Sequence, residues 1–257
     1  MTVPEDLSPV RAGLAQAMVL AAGRGSRMRP LTDQTPKPLL AVQGRPLLHR
    51  TLSQLAAGGV QRTVLNTAWL GAQIERYFGV HPSLGEGLSM HLRYSVEQQP
   101  GAEFAALETA GGISRALPCL DDVFWVAAGD VFAPEFHYSS QALQAFAASD
   151  HLAHLWLVPN PAHHPQGDFG LTPQGLACSQ PEPGTPAYTY STIGLYRRAL
   201  FEAPWCDIEP GNPQGLAVKL APLLRLAMDA GRVSAQIYHG PWTDVGTPER
   251  LAELNAV

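Results

Sequence analysis

Several residues of this chain have types and spacings suited to a phosphorylated ligand. The run Gly23-Arg24-Gly25-Ser26-Arg27 directly follows the apolar stretch Ala17–Ala22. Backbone N–H groups in a glycine-rich turn after a strand can surround an anion. Glycine there allows close approach or positive φ, although an ordinary tight turn carries the same signature. Lys37 stands between Pro36 and Pro38. The flanking prolines restrict the backbone and predict an extended path. Such a segment would present the ammonium as a fixed charge, whereas the plainer reading is a solvated loop lysine. Asp130 follows the continuous apolar run Val123–Ala128, and Asp244 follows the short stretch Pro241–Thr243. Ligands of open α/β sheets bind beyond the carboxyl ends of strands, so Asp130 falls where a catalytic acid belongs. Two aspartates converging on one cleft would make an oxygen site for Mg²⁺; either one alone reads as a turn or helix-cap residue. The adjacent pair His163-His164 does not read as a metal site. Its side chains should diverge, and no third ligand lies at zinc-like spacing, so the pair is expected to line a loop beside the ligand or to face solvent.

Two common phosphate-binding motifs are absent. Nothing matches GxxxxGK[ST]. In a GxGxxG reading of Gly23 and Gly25, the third glycine position holds Met28, and no acidic residue for a ribose occurs across Ala41–Pro46. A nicotinamide-dependent dehydrogenase is disfavoured on those residues. No Ser-His-Asp set is evident either.

These groups need a scaffold, and the hydrophobic pattern supplies one. Ala17–Ala22, Arg62–Asn66, Leu88–Ser95, Val123–Ala128, Leu152–Val158, Tyr188–Tyr196 and Val233–Tyr238 read as strands. Helical periodicity runs through Pro46–Gly58, with Leu47, Leu48, Leu52 and Leu55 on one face and a stop at Gly58-Gly59. Further helices are predicted over Leu70–Phe78, Glu108–Leu117, Leu216–Ala230 and Pro248–Leu254. Residues 159–187 read as loops with short strands. Strands alternating with helices predict a mostly parallel sheet covered on both faces. Residues 1–16 read as a loose extension, and 17–257 as one domain in two halves, about 17–135 and about 136–257.

Composition narrows the class. The chain has 257 residues, 46% hydrophobic and 15% charged, which describes a folded domain rather than disorder. Its net charge of −5 suggests neither nucleic acid nor an anionic membrane as partner. Any bound anion must be held by local positive charge. Cys119, Cys178 and Cys206 are far apart and form no metal-ligand spacing, so they read as incidental thiols. Their pattern fits a reducing, cytoplasmic setting. No apolar run approaches the ~20 residues of a membrane span, and the polar start lacks the centre of a signal peptide.

The stretch "LAAGRGSRMRPLT…TPKPLL" resembles the signature LAAGxGxRxxPLT…PKPL of the sugar-1-phosphate nucleotidyltransferases. "ETAGGI" at Glu108–Ile113, "GDV" at Gly129–Val131, "GDF" at Gly167–Phe169 and "WTDVGTPERL" at Trp242–Leu251 extend the resemblance over nearly the whole chain from Ala17. Within the family, "HLAHLWLVPNP", "HHPQGDF" and "KLAPLLRLAM" are most similar to a branch that transfers the uridylyl group of UTP to N-acetylmuramate 1-phosphate in cell-wall sugar recycling. Mannose-1-phosphate guanylyltransferases and glucose-1-phosphate uridylyl- or thymidylyltransferases are near relatives. A non-catalytic regulatory subunit of the same fold would be expected to lose a catalytic charge; Arg27, Lys37, Asp130 and Asp244 are all retained.

The resemblance implies a Rossmann-like three-layer α/β fold with a mostly parallel, mixed central sheet. It implies a nucleoside triphosphate and a sugar 1-phosphate as ligands, Mg²⁺ as cofactor, and a monomer or small homo-oligomer. Arg27, Lys37 and Asp130 map to catalysis, with Asp130 and Asp244 as metal ligands. Ala22, Gly23, Gly25, Ser26, Arg27, Lys37, Glu97, Thr109 and Gly111 map to nucleotide binding. Asp168 maps to the sugar. Many relatives carry Glu-Lys-Pro before the strand at Tyr188, with the lysine on the sugar phosphate. This chain has "QPEPGTP" there and no lysine, which suggests Lys219 as a substitute. Residues 98–106, "QQPGAEFAA", read as an insertion beside the base-contacting region at Glu97 and Gln98. Arg24 and Arg29 receive no role and are read as solvated.

Overall fold

A computed structural model describes residues 15–85, 87–97, 105–181 and 184–256. Most of the 98–106 insertion, Gln98 included, and the start of the chain through residue 14 lie outside the described residues. The first strand, β1, is Gln16–Leu20. A small ribbon follows, β2 at Ala41–Val42 and β3 at Arg45–Pro46, then helix α1 at Leu47–Ala57. Next come β4 (Arg62–Thr67), α2 (Gly71–Phe78), β5 (His91–Val96), α3 (Glu108–Ala116), β6 (Val123–Ala128) and β7 (Val131–Phe132). The second half comprises α4 (Ser140–Ala148), β8 (Ala153–Val158), β9 (Phe169–Leu171), β10 (Ala177–Cys178), β11 (Ala187–Arg197), α5 (Leu220–Asp229), β12 (Val233–Ile237), β13 (Thr243–Asp244) and α6 (Pro248–Asn255).

The central sheet runs β10-β9-β11-β6-β1-β4-β5, with β8 also on β11 and β12 on β8. Strands β6, β1, β4 and β5 are mutually parallel. Strand β11 runs against β6, and β8 and β9 run against β11, so both recover the common direction, as does β12 alongside β8. The sheet is thus mixed with mostly parallel strands, as the alternation of elements predicts.

Alternate side chains of the central strands enter opposite cores. Met18, Val64, Val126 and Leu155 pack with Ile113 of α3 and Leu223 and Leu224 of α5 on one face. Val19, Leu65, Trp125 and Trp156 pack with Leu48, Leu52 and Leu55 of α1, Ile74 of α2 and Phe146 of α4 on the other. Helices on both faces of a sheet make the three-layer arrangement. A third, smaller cluster joins Met28, Leu40, Val42, Leu47, Phe132 and Val245 with Leu251 and Leu254. Met28, which breaks the dinucleotide pattern, is 1% exposed and anchors the glycine loop to this cluster.

Several boundaries differ from the sequence reading. Gln16 belongs to β1 rather than to a loose extension; its side chain is buried and bridges the Cys119 carbonyl and the Asp121 amide, both at 2.6 Å. Strand β1 ends at Leu20 because the Ala21 amide leaves the ladder for Asn66 Oδ1 at 2.7 Å. Helix α4 has no counterpart in the periodicity argument, because only Phe146 of its residues is buried. It is started by Ser139, whose Oγ accepts from the Ala142 amide. Helix α5 begins at Leu220, four residues later than the pattern suggests. The Asn212 amide holds Leu216 at both backbone groups, and Val218 exchanges hydrogen bonds with Leu107 and Ala110, so Leu216–Lys219 is kept out of the helix.

Candidate active site

The carboxyl ends of β1 and β6 open onto two neighbouring cavities. The first, about 280 Å³, is lined by Leu20, Ala21, Gly23 and Gly25–Met28 of the glycine loop, Lys37, Pro38, Asp130 and Gly246. The second, about 300 Å³, has Glu108, Thr109, Asp168, Tyr190, Thr192 and Lys219 in its wall. Leu20 lines both.

The glycine loop is built by its two glycines in different ways. Gly25 has φ +65°, and a Cβ there would sit 3.0 Å from Thr32 Cγ2 and 3.2 Å from Lys37 Cβ. Conformation and space both demand glycine. Gly23 has neither constraint, and nothing lies within 4 Å of its would-be Cβ; its bare face simply opens to the cleft. Ser26 and Arg27 are exposed at the rim. Ala22 is buried between cleft-lining Ala21 and Gly23.

Arg24, read from sequence as solvated, is a structural brace. Its guanidinium lies 3.7 Å from the Trp69 ring centre, donates to the Thr32 carbonyl at 2.8 Å and pairs with Asp33 at 2.7 Å. Trp69 Nε1 donates to the same carbonyl, and Thr32 Oγ1 donates to the Gly25 carbonyl, both at 2.8 Å. Arg24 therefore stiffens the loop from behind. Arg29 is exposed and pairs with Asp33 at 3.3 Å.

Lys37 does not sit on an extended segment. Only Pro36 is extended; Lys37–Leu39 forms a 3₁₀ turn closed by Leu39 N to Pro36 O at 2.8 Å and Leu40 N to Lys37 O at 3.0 Å. Proline fits early in such a turn because its missing N–H has no partner there. The turn buries the lysine stem, leaves its side chain 10% exposed and delivers the ammonium to Asp130 as an ion pair.

Asp130 and Asp244 are brought together by the ribbon of β7 and β13, in which Asp244 faces Val131 and the Val245 amide donates to the Asp130 carbonyl at 3.1 Å. Asp130 Oδ2 carries the pair to Lys37. Asp244 Oδ1 carries an ion pair to Arg250 and lies 2.9 Å from His163 Nε2. Each pairing falls on one carboxylate oxygen. The two carboxylates suit a hard divalent cation, so the donor set fits Mg²⁺. Among the described residues no group of three or more His, Cys, Asp and Glu side chains forms a cage, so phosphate oxygens and water would complete the coordination of a cation held there.

The second cavity carries two backbone constraints that sequence reasoning did not find. Glu108 at the start of α3 has φ +57°, and Thr192 within β11 has φ +62°. Both are in its wall. Thr192 lies in an irregularity of β11 between Tyr190 and Gly194. The neighbouring Ser191 is tied to the Trp156 carbonyl at 2.6 Å, and Trp242 Nε1 donates to the Ser191 carbonyl at 3.1 Å. Left-handed non-glycine residues facing a cavity mark sites where surrounding structure overrides local preference. Asp168 accepts from the Tyr190 amide at 2.8 Å and lies 3.2 Å from His164. Lys219 is exposed at the start of α5 and reaches the same cavity.

Thr109 lines this second cavity rather than the glycine-loop cleft. Gly111 lines neither: its amide donates to the Val218 carbonyl at 3.1 Å, and any Cβ would collide with the Leu216 carbonyl. Glu97 accepts from Asn66 Nδ2 at 2.7 Å, and Asn66 in turn accepts from Ala21. Burial raises the Glu97 carboxyl above its ordinary value, opposed by the Asn66 hydrogen bond. Asn66 was not singled out from sequence, although a polar residue within an otherwise apolar strand is a legible signal. No helix among the described residues is long and apolar enough to cross a membrane.

A model of the nucleotidyl transferase family matches residues 16–257. The chain is 43% identical over 244 residues to the N-acetylmuramate alpha-1-phosphate uridylyltransferase of Neisseria meningitidis serogroup B, covering 94% of this chain and 97% of that protein. It is 36% identical over 253 residues to the mannose-1-phosphate guanylyltransferase of Mycobacterium tuberculosis, covering 93% of this chain and 63% of that protein. Among solved structures, a UTP-bound UGPase from Acinetobacter baumannii matches with a TM-score of 0.73 at 16% identity, over 95% of this chain and 93% of that one.

Proposed function

This chain belongs to the nucleotidyl transferase family and is a sugar-1-phosphate nucleotidyltransferase, and from that premise we propose that it joins UTP and N-acetylmuramate 1-phosphate into UDP-N-acetylmuramate with release of pyrophosphate. The observation that carries this reading is the adjacency of the two cavities, one cationic and glycine-walled, one polar, with Leu20 in both walls. Two phosphorylated substrates held in them would meet at the carboxyl end of β1. The substrate pair follows the relative that is 43% identical.

In the reaction, a phosphate oxygen of the sugar 1-phosphate attacks the α-phosphorus of UTP, and the bond to the β-phosphate oxygen breaks. The nucleophile needs no general base, because a phosphate monoester has a second pKa near ~6 and is largely dianionic at neutral pH. The obstacle is the approach of one polyanion to another, so catalysis rests on positioning and charge neutralisation. The amides of Gly23, Gly25 and Ser26 cradle the triphosphate. Arg27, exposed and without a carboxylate partner among the described residues, neutralises the departing pyrophosphate. Lys37 turns from Asp130 to the α-phosphate and stabilises the charge that develops there. Asp130 and Asp244 would hold Mg²⁺, which would supply positive charge to the bound phosphates. Asp168 accepts from a sugar hydroxyl, and Lys219 provides a cation to the sugar phosphate in place of the missing Glu-Lys-Pro lysine. Glu97, oriented by Asn66, stands near the base. We place the reaction in the cytoplasm, a setting that the three free cysteines fit.

Pyrophosphate release from UTP, GTP and dTTP against N-acetylmuramate, mannose and glucose 1-phosphates tests the reading. UTP with N-acetylmuramate 1-phosphate is expected to be the preferred pair. Preference for GTP with mannose 1-phosphate would overturn both the base and the sugar. UTP binding without turnover on any sugar phosphate would make the chain a non-catalytic nucleotide-binding subunit.

A further inference from the structure

The histidine pair that matched no metal spacing is partly exposed, each side chain at 40%, and each ring also meets a carboxylate. His163 Nε2 lies 2.9 Å from Asp244 Oδ1 and 3.0 Å from Arg250 Nη1. Its neighbour His164 places Nε2 3.2 Å from Asp168 Oδ1. One imidazole thus reaches the carboxylate of Asp244, which pairs with Val131 next to cleft-lining Asp130, and the next reaches a carboxylate of the second cavity. Divergence of adjacent side chains, which argues against a shared metal, is what allows each ring its own carboxylate.

The turn bearing them is well anchored. The His164 amide donates to the Pro161 carbonyl at 2.9 Å. Asn160 donates to the carbonyls of Pro165 at 3.1 Å and Ala187 at 2.9 Å, and accepts from Thr189 Oγ1 at 2.9 Å. Gly167, at φ +65°, has no room for a side chain: a Cβ would lie 2.7 Å from Asn160 Oδ1 and 2.9 Å from the Tyr188 backbone. A turn tied this closely to β11 moves as part of the sheet and not as a free loop. The far ends of both contacts are equally fixed. Arg250 Nη1 also donates to the Asp244 carbonyl at 2.8 Å, and Asp168 Oδ2 accepts from the Tyr190 amide. With Nε2 unprotonated, His163 accepts from Arg250; with Nε2 protonated, it donates to Asp244. Either tautomer ties the ring to that pair.

We propose that His163 and His164 are paired positioning residues, His163 orienting the Asp244 carboxylate toward the metal and nucleotide, and His164 orienting Asp168 toward the sugar. Groups that hold a metal-ligating or substrate-binding carboxylate set its angle, and their loss commonly costs about 10–100-fold in metal affinity or activity. Because one rigid turn carries both rings, the spacing of the two subsites is set by a single piece of backbone. The assignment rests on the transferase reading above.

The test separates the two prongs. For His163→Ala, the gain in UTP affinity conferred by Mn²⁺, measured calorimetrically as the ratio of dissociation constants without and with the ion, is expected to fall about tenfold, with kcat falling alongside. KM for the sugar phosphate should stay within about twofold, a difference of roughly 0.4 kcal/mol. For His164→Ala, KM for the sugar phosphate is expected to rise about tenfold, with the Mn²⁺ effect and kcat within about twofold. Glutamine carries an amide nitrogen near the position of Nε2, so His163→Gln and His164→Gln should recover most of each loss. Both alanine variants moving every parameter together, or neither moving any, would overturn the proposal, as would glutamine variants no better than alanine. The transferase reading fails separately, if the wild-type chain turns over no sugar phosphate; the calorimetric arm still decides the role of His163.

Discussion

Lys37 and Asp130, separated by 93 positions in the chain, meet as an ion pair in the cleft behind the glycine loop. The contact neutralises a cation and a carboxylate that would otherwise face each other's ligands unpaired. In the proposed reaction each partner would exchange the other for a ligand, the ammonium for a phosphate and the carboxylate for the metal. The ion pair would thus hold both groups at the place where those ligands meet.

In the proposed reaction Lys37 supplies the charge at the phosphorus. Lys37→Ala is expected to fold with an unchanged circular dichroism spectrum and to lose turnover by about 10²–10³, the usual cost of a group that stabilises developing charge. Pyrophosphate release under saturating UTP reads the loss. Turnover within a few-fold of wild type would remove Lys37 from the chemistry.

Asp130→Asn keeps the shape and an oxygen that still accepts from Lys37, but loses the negative charge. The expected result is loss of transfer together with loss of the gain in UTP affinity that Mg²⁺ confers, measured by calorimetry with and without the ion. Retained Mg²⁺ dependence would move the cation elsewhere.

The two loop glycines make opposite predictions. Gly25→Ala forces a left-handed residue against Thr32 and Lys37 and should cost about 1–2 kcal/mol in urea unfolding. Gly23→Ala meets nothing within 4 Å and should leave stability within about 0.5 kcal/mol of wild type. Its methyl group opens to the cleft, however, so UTP affinity should fall. Equal effects of the two on stability would refute the geometric distinction.

Acid stability should depend on His154. Burial pushes its pKa down to about 4 from the ordinary 6.5, with Nδ1 bound to Ser234 Oγ at 2.8 Å. The folded state therefore resists protonation that the unfolded chain accepts. The stabilisation is present above pH 6.5 and is lost as pH falls through that value toward 4, by up to about 3 kcal/mol. His154→Gln should flatten the urea-unfolding free energy across this range relative to wild type. An equally steep loss in the variant would place the acid sensitivity in another group.

Much of the fold is legible in local pattern. Continuous apolar runs such as Val123–Ala128 mark strands covered on both faces, and the leucines of Leu47–Leu55 mark a helix with one buried side. What was missed has identifiable causes. Helix α4 buries little beyond Phe146, so periodicity carries no signal for it. The late start of α5 is imposed by Asn212, whose hydrogen bonds hold Leu216 in place. Arg24 looks like any loop arginine until Trp69, 45 positions away, turns out to lie beneath it.

The linear chain carries the available chemistry: bare glycine backbone, a lysine between prolines, aspartates after strand ends, and the alternation that makes a mostly parallel sheet. These follow from residue type and short-range spacing, the only quantities a linear chain displays. Tertiary structure alone decided the pairings. It set Lys37 on Asp130, His163 on Asp244 and His164 on Asp168, moved Thr109 to the second cavity, and packed Gly111 away from both. All but the His164–Asp168 contact, which closes within four residues, depend on strand order and on how connecting loops cross the sheet edge. Such contacts span from 4 to more than 90 positions, and no local propensity encodes them.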